Sequence, residues 1–168
     1  MPSDAIVIAA VAGSAGVGAA IDSHTRRVPN WLTAGTAALG LTLAAAHVSG
    51  TSFSAAVGGC ALGAALMLPG HLIGATGAGD VKLMGAVGTL LGPTRIGLAF
   101  VCTALAGGVL AVAIAILRGR LHTTLETAAT FVRTGGNNVA DIENPSVNNR
   151  FAYAPAIAVG AFVAAVWF

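Results

Sequence analysis

Asp, Glu, Lys and Arg are so sparse along this chain that marking them divides it into long charge-free runs. The runs cover residues 5–21, 28–79, 83–94, 96–117 and 151–168, holding 17, 52, 12, 22 and 18 residues. A helix that crosses a bilayer needs about 20 mostly apolar residues, within a range of roughly 17–25. Four runs therefore have room for spans, and the longest has room for two. Its natural division is Ser49-Gly50-Thr51-Ser52, a small polar cluster that reads as a turn. The run of 12 is short, but it suffices if a helix starts near Asp80 and Lys82 extends its amine to the interface.

The pattern predicts an all-α polytopic membrane protein, a single membrane-embedded domain over residues 1–168. About six spans are expected, at 4–21, 31–48, 54–74, 80–93, 95–117 and 151–168. The apolar runs are unbroken, which excludes the roughly ten-residue alternating segments of a membrane β-barrel. The first run lacks a preceding basic stretch and an evident cleavage site, so it reads as a span and not as a signal peptide.

Composition changes this picture by what it removes. The chain is 56% hydrophobic and 8% charged, whereas a soluble domain carries roughly 25% charged residues. Its mean hydropathy is +0.85. Eight basic and six acidic residues cannot cover a water-soluble body of this size. A soluble globular enzyme, a disordered chain and a nucleic-acid binder are excluded, and the lipid bilayer is the implied partner. Gly, Ala, Ser and Thr dominate the spans, as close helix packing in lipid demands. Gly59 and Gly63 form one G-x-x-x-G, and Ser14 and Gly18 a similar small pair; both read as packing within the chain in preference to a dimer interface. Pro69 predicts a kink, with His71 just beyond it.

Basic residues orient the spans. With the N-terminus outside, Arg26, Arg27, Lys82, Arg118, Arg120, Arg133 and Arg150 lie on the inner side and Arg95 alone outside, seven against one. The loop 118–150 is then cytoplasmic. Leu121, Leu125, Ala128 and Val132 recur there at helical spacing, which suggests a short amphipathic helix on the membrane surface, and the segment as a whole reads as a connecting loop in preference to a substrate-docking element.

Neither cysteines nor histidines point to a metal. Cys60 and Cys102 fall inside spans without C-x-x-C spacing and read as small core residues. His24, His47, His71 and His122 are scattered singly; His47 reads as a helix-end residue and His71 as a polar packing contact.

The acids are more informative. Asp4 is terminal, and Glu126, Asp141 and Glu143 fall in the hydrophilic loop, where solvation accounts for them. Asp22 and Asp80 alone border apolar spans, and the assigned topology puts both at cytoplasmic helix ends. Two carboxylates at one depth share a proton; the ionised member activates water while the protonated member polarises a carbonyl. A plainer account also stands: Asp22 pairs with Arg26 four residues on, and Asp80 caps a helix. Three glycines precede Asp80, in Gly74-Ala-Thr-Gly77-Ala-Gly79-Asp80-Val-Lys82. Glycine permits unusual backbone and close approach of a substrate chain. The segment is not a phosphate loop, because Asp80 occupies the place of the lysine.

Gly77-Ala78-Gly79-Asp80-Val81-Lys82, continued by Leu83-Met84-Gly85-Ala86, resembles the second-aspartate motif of the type IV prepilin peptidases, which are G-x-G-D intramembrane aspartic proteases. Asp22-Ser-His-Thr-Arg26-Arg27-Val28-Pro29-Asn30-Trp31 resembles their first-aspartate motif, and Tyr153-Ala154-Pro155-Ala156-Ile157-Ala158 is similar to the opening of their last span, with Ala154 replacing the usual Gly. The likeness is greatest to the short peptidases of tight-adherence (Flp-type) pilus systems. It implies Asp22 and Asp80 as catalytic, Gly77 and Gly79 as shaping the active-site loop, and Arg26 and Lys82 as supporting residues at the rim. It also implies a bacterial inner-membrane enzyme whose site faces the cytoplasm, with a prepilin or pseudopilin precursor as substrate and no metal or other cofactor. The cytoplasmic Cys-x-x-Cys region of the methylating relatives has no counterpart here, so pilin methylation is not expected. Two other readings are compatible with the same residues: a small proton- or ion-coupled transporter using the same aspartates, and a non-catalytic scaffold of a secretion or pilus assembly.

Overall fold

An apolar segment in lipid must satisfy its backbone N–H and C=O groups internally, and the charge-free runs accordingly fold as helices. The computed structural model describes residues 2–73, 76–117 and 153–167, and all regular structure among them is helical. The elements are α1 (Pro2–Thr25), α2 (Asn30–Ala45), α3 (Phe53–Leu72), α4 (Ala78–Leu117) and α5 (Ala154–Trp167). The loop expected at 118–150, with its amphipathic stretch, lies outside the described residues.

Local chemistry sets the boundaries. Arg26, at φ 53°, turns the chain away from α1, and Pro29 precedes α2. After α2, His47 takes φ 57° and Gly50 φ 67°, and Ser52 caps α3 by accepting the Ala55 N–H at 3.2 Å. The expected turn at 49–52 and the helix-end position of His47 are both found. Pro69 lies in the last stretch of α3, which continues past it to Leu72. The spans expected at 80–93 and 95–117 are instead one element, α4, broken at Gly92. Gly92 has φ 72° and ψ 177°, a conformation that favours glycine, and Pro93 opens the second arm. The break thus falls two to three residues before Arg95, which the charge pattern takes as its marker. α5 starts at Ala154, later than the expected 151.

Among the described residues, three helices are long and apolar enough to cross a membrane: Asp4–Thr25, Phe53–Leu72 and Ala78–Ile114, the last including both arms of α4. Ala154–Trp167 is apolar but shorter.

The first arm of α4 is the centre of the bundle. Residues 83–92 are all buried, as expected of a helix apolar on every side. α3 lies against it backbone to backbone. A side chain at Gly59 would collide with the Gly88 carbonyl, and one at Gly63 would stand 2.6 Å from the Met84 carbonyl oxygen. The G-x-x-x-G therefore packs within the chain. The same contacts give direction, since Gly59 also meets Gly92 and Gly63 also meets Ile96. The chain reverses at Gly92, and the second arm runs alongside α3. Asn30 meets Lys82 and Gly40 meets Thr89, so α2 runs parallel to the first arm; Tyr153 meets Gly107 and Gly160 meets Thr103, so α5 runs antiparallel to the second. Among the described residues, six helical segments thus alternate in direction. The C-termini of α1 and α3 and the N-termini of α2, α4 and α5 share one end.

The approach of α3 to α4 predicts a position-specific response. Gly59→Ala should destabilise the protein by about 1–3 kcal/mol. Gly58→Ala should be neutral or better, since nothing lies within 4 Å of a side chain there. Unfolding midpoints of the two variants in detergent check this.

Candidate active site

Asp80 sits in the first turn of α4 and is 6% exposed. Its Oδ2 accepts the Gly77 N–H at 2.9 Å, while its own N–H donates to the Gly77 carbonyl at 3.0 Å. This reciprocal pair closes the helix start as one half of a capping box does. The capping role expected of Asp80 is therefore real, and it fixes the carboxylate's rotamer. Gly77 leaves room for that contact, because a side chain there would stand 3.2 Å from Asp80 Oδ2. Gly79 serves a different neighbour. A Cβ there would lie 3.1 Å from the Val28 Cβ, so its absence lets the α1–α2 connection close over the start of α4.

Asp22 lies in the last stretch of α1 and is 5% exposed. Its Oδ2 accepts the N–H of Ala154 at 3.3 Å, at the first residue of α5. A carboxylate at a helix N-terminus satisfies an otherwise unpaired donor and meets the positive end of the helix dipole. The aspartates come from helices far apart in sequence, yet their charges act on each other. Asp80 also interacts electrostatically with His71, and Tyr153 with Asp80. Tyr153 packs its ring into the space left by Gly107, 2.8 Å from where a side chain would begin.

The supporting residues lie at the rim. Lys82 donates from Nζ to Asn30 Oδ1 at 2.9 Å, joining α4 to the start of α2 on an exposed surface. Arg26 is exposed, and its backbone N–H donates to the Asp22 carbonyl at 2.7 Å as the chain leaves α1. Gly77, Gly79, Asp22 and Asp80 are thus gathered at one end of the bundle, with Arg26 and Lys82 flanking them. The Ala154 N–H and His71 join them without having been singled out as site groups. Backbone donors leave no mark in sequence, but a histidine one turn before a glycine-rich loop was a usable signal. Among the described residues, no three His, Cys, Asp or Glu side chains gather to hold a metal ion. Two interacting carboxylates, each anchored through one oxygen, are suited to exchanging a proton with a water between them.

A model of the type IV leader peptidase family matches residues 8–112, more than half of the chain. The chain belongs to that family. No curated protein and no solved structure matches it significantly. The family match spans both aspartates and the glycines before Asp80, and it ends in the second arm of α4. Family and apolar helices together make this type IV leader peptidase family member a membrane peptidase.

The Gly79 contact can be tested without an activity assay. Gly79→Ala should lower the unfolding midpoint of this family member, and Val28→Gly, which removes the Cβ facing the new side chain, should cost less in that background than on its own. The coupling in a double-mutant cycle should reach about 0.5–3 kcal/mol.

Proposed function

We propose that this peptidase removes the basic leader from type IV or Flp-type prepilins by a two-aspartate mechanism, with Asp22 and Asp80 as the catalytic pair. The observation that carries this reading is the meeting of the two buried, mutually interacting carboxylates at one end of the bundle. One aspartate, ionised, takes a proton from water. The other, protonated, donates to the scissile carbonyl oxygen as the water oxygen bonds to its carbon. The tetrahedral intermediate then collapses, and the leaving amine receives a proton from the pair. Sequence and geometry leave the two roles interchangeable, since such a pair titrates as a unit.

The six alternating segments support six membrane crossings with the N-terminus outside. Arg26, Arg27 and Lys82 lie at the aspartate end and Arg95 at the opposite end, the distribution expected if the aspartates face the cytoplasm. In the inner membrane of a bacterium, that position meets the junction between a basic cytoplasmic leader and the apolar helix behind it. An ion-coupled transporter gains no support from this placement. Among the described residues the acids are Asp22 and Asp80 at one end and Asp4 at the other, with none between.

The test is cleavage of a prepilin precursor by the purified protein in detergent or liposomes. Asp22→Asn and Asp80→Asn should each lower the rate by roughly 10²–10⁴-fold, with insertion and unfolding midpoint retained. Normal leader removal by either variant would sink the assignment.

A further inference from the structure

The connection between α3 and α4 contains a chain of hydrogen bonds that ends on Asp80. His71, half-buried in the last turn of α3, has its Nδ1 3.1 Å from the Thr76 carbonyl oxygen. A carbonyl oxygen only accepts, so Nδ1 carries the hydrogen and the imidazole donates. That carbonyl and the Gly77 N–H belong to the same planar peptide unit. The N–H at the other side of the unit is the one that donates to Asp80 Oδ2 at 2.9 Å. The peptide between Thr76 and Gly77 is therefore held at both ends, by His71 and by Asp80. Thr76 is fixed as well: its own N–H donates to the Gly70 carbonyl at 3.1 Å. Gly70 admits it closely, since a side chain there would stand 3.2 Å from Thr76 Oγ1.

We propose that His71 is a positioning residue for Asp80, acting through the Thr76–Gly77 peptide. Two physical effects follow from the geometry. Donation to the carbonyl polarises the amide and strengthens its N–H as a donor, because linked hydrogen bonds reinforce one another in a low-dielectric setting. The imidazole also holds the peptide plane, so that the N–H stays aimed at the carboxylate and Asp80 keeps one rotamer. Both effects favour the ionised carboxylate, which accepts stronger hydrogen bonds than the neutral acid. The direct electrostatic interaction of His71 with Asp80 agrees with this assignment. A merely structural histidine closing the end of α3 has no need for the far side of the peptide to point at an acid.

The proposal rests on Asp80 being one of the two catalytic aspartates, and the experiment separates the two ideas. His71→Ala, His71→Asn and His71→Gln are purified in detergent and assayed on one prepilin precursor. Asparagine carries an amide N–H near the position of Nδ1, whereas glutamine carries it one methylene further out. His71→Ala should lower kcat about tenfold with KM unchanged, the size of one lost hydrogen bond to the reacting group. His71→Asn should recover most of kcat, and His71→Gln should not. Unaltered kcat in His71→Ala overturns the proposal, as does equal recovery by asparagine and glutamine. If His71→Ala fails to fold, the asparagine–glutamine comparison still decides. Asp80→Asn in the same assay marks which idea has failed: persisting cleavage removes the aspartate pair itself, while its loss beside a normal His71→Ala removes only the role of His71.

Discussion

The backbone contact between α3 and the first arm of α4 is the constraint on which the rest of the structure depends. In lipid, apolar side chains gain nothing by leaving one apolar surface for another, so helices associate through close packing. Gly59, Gly63 and Gly88 remove the side chains that would hold the two backbones apart. The first arm can then be buried on every side over residues 83–92. With that arm fixed at the centre, its N-terminal end has only one position relative to the surrounding helices, and Asp80 stands on its first turn.

The candidate site is a meeting of helix ends. α1 and α3 finish there, and α2, α4 and α5 begin there. Helix N-termini present unpaired N–H groups, and their need for acceptors is acute where water is scarce. Gly77 and Ala154 supply such donors, and Asp80 and Asp22 accept from them. The capping function and the proposed chemistry are therefore compatible. A carboxylate that closes a helix start is held in place by it, with low exposure and a defined direction.

Much of this was legible in the sequence because charge and glycine mark boundaries. The absence of charge located the helices, Ser49-Gly50-Thr51-Ser52 located a turn, and Gly-x-Gly-Asp located the start of α4. The expected spans divide between 93 and 95, beside Arg95, whereas the chain reverses at Gly92. Charge reports where a helix meets an interface, but backbone geometry decides where it turns, and Gly92-Pro93 was the more direct sign. The partners of the aspartates were hidden for a related reason. The Ala154 N–H is a backbone group, and its distance from Asp22 depends on how α1 and α5 pack. The role of His71 depends on the orientation of a peptide five residues away, which no periodicity encodes.

The anchoring of the two aspartates also bears on how they would handle water. Each uses Oδ2 to accept a backbone N–H. A carboxylate tethered by one oxygen has lost most of its rotational freedom, so its second oxygen keeps a fixed direction before substrate arrives. Fixed dipoles that need no rearrangement during reaction are what lower a barrier in a dry site. The tethers come from two places: the α3–α4 loop, braced by His71, for Asp80, and the start of α5 for Asp22. The stability of the fold and the geometry of the pair are thus carried by separate contacts, the first by glycine-lined helix faces and the second by hydrogen bonds at their ends.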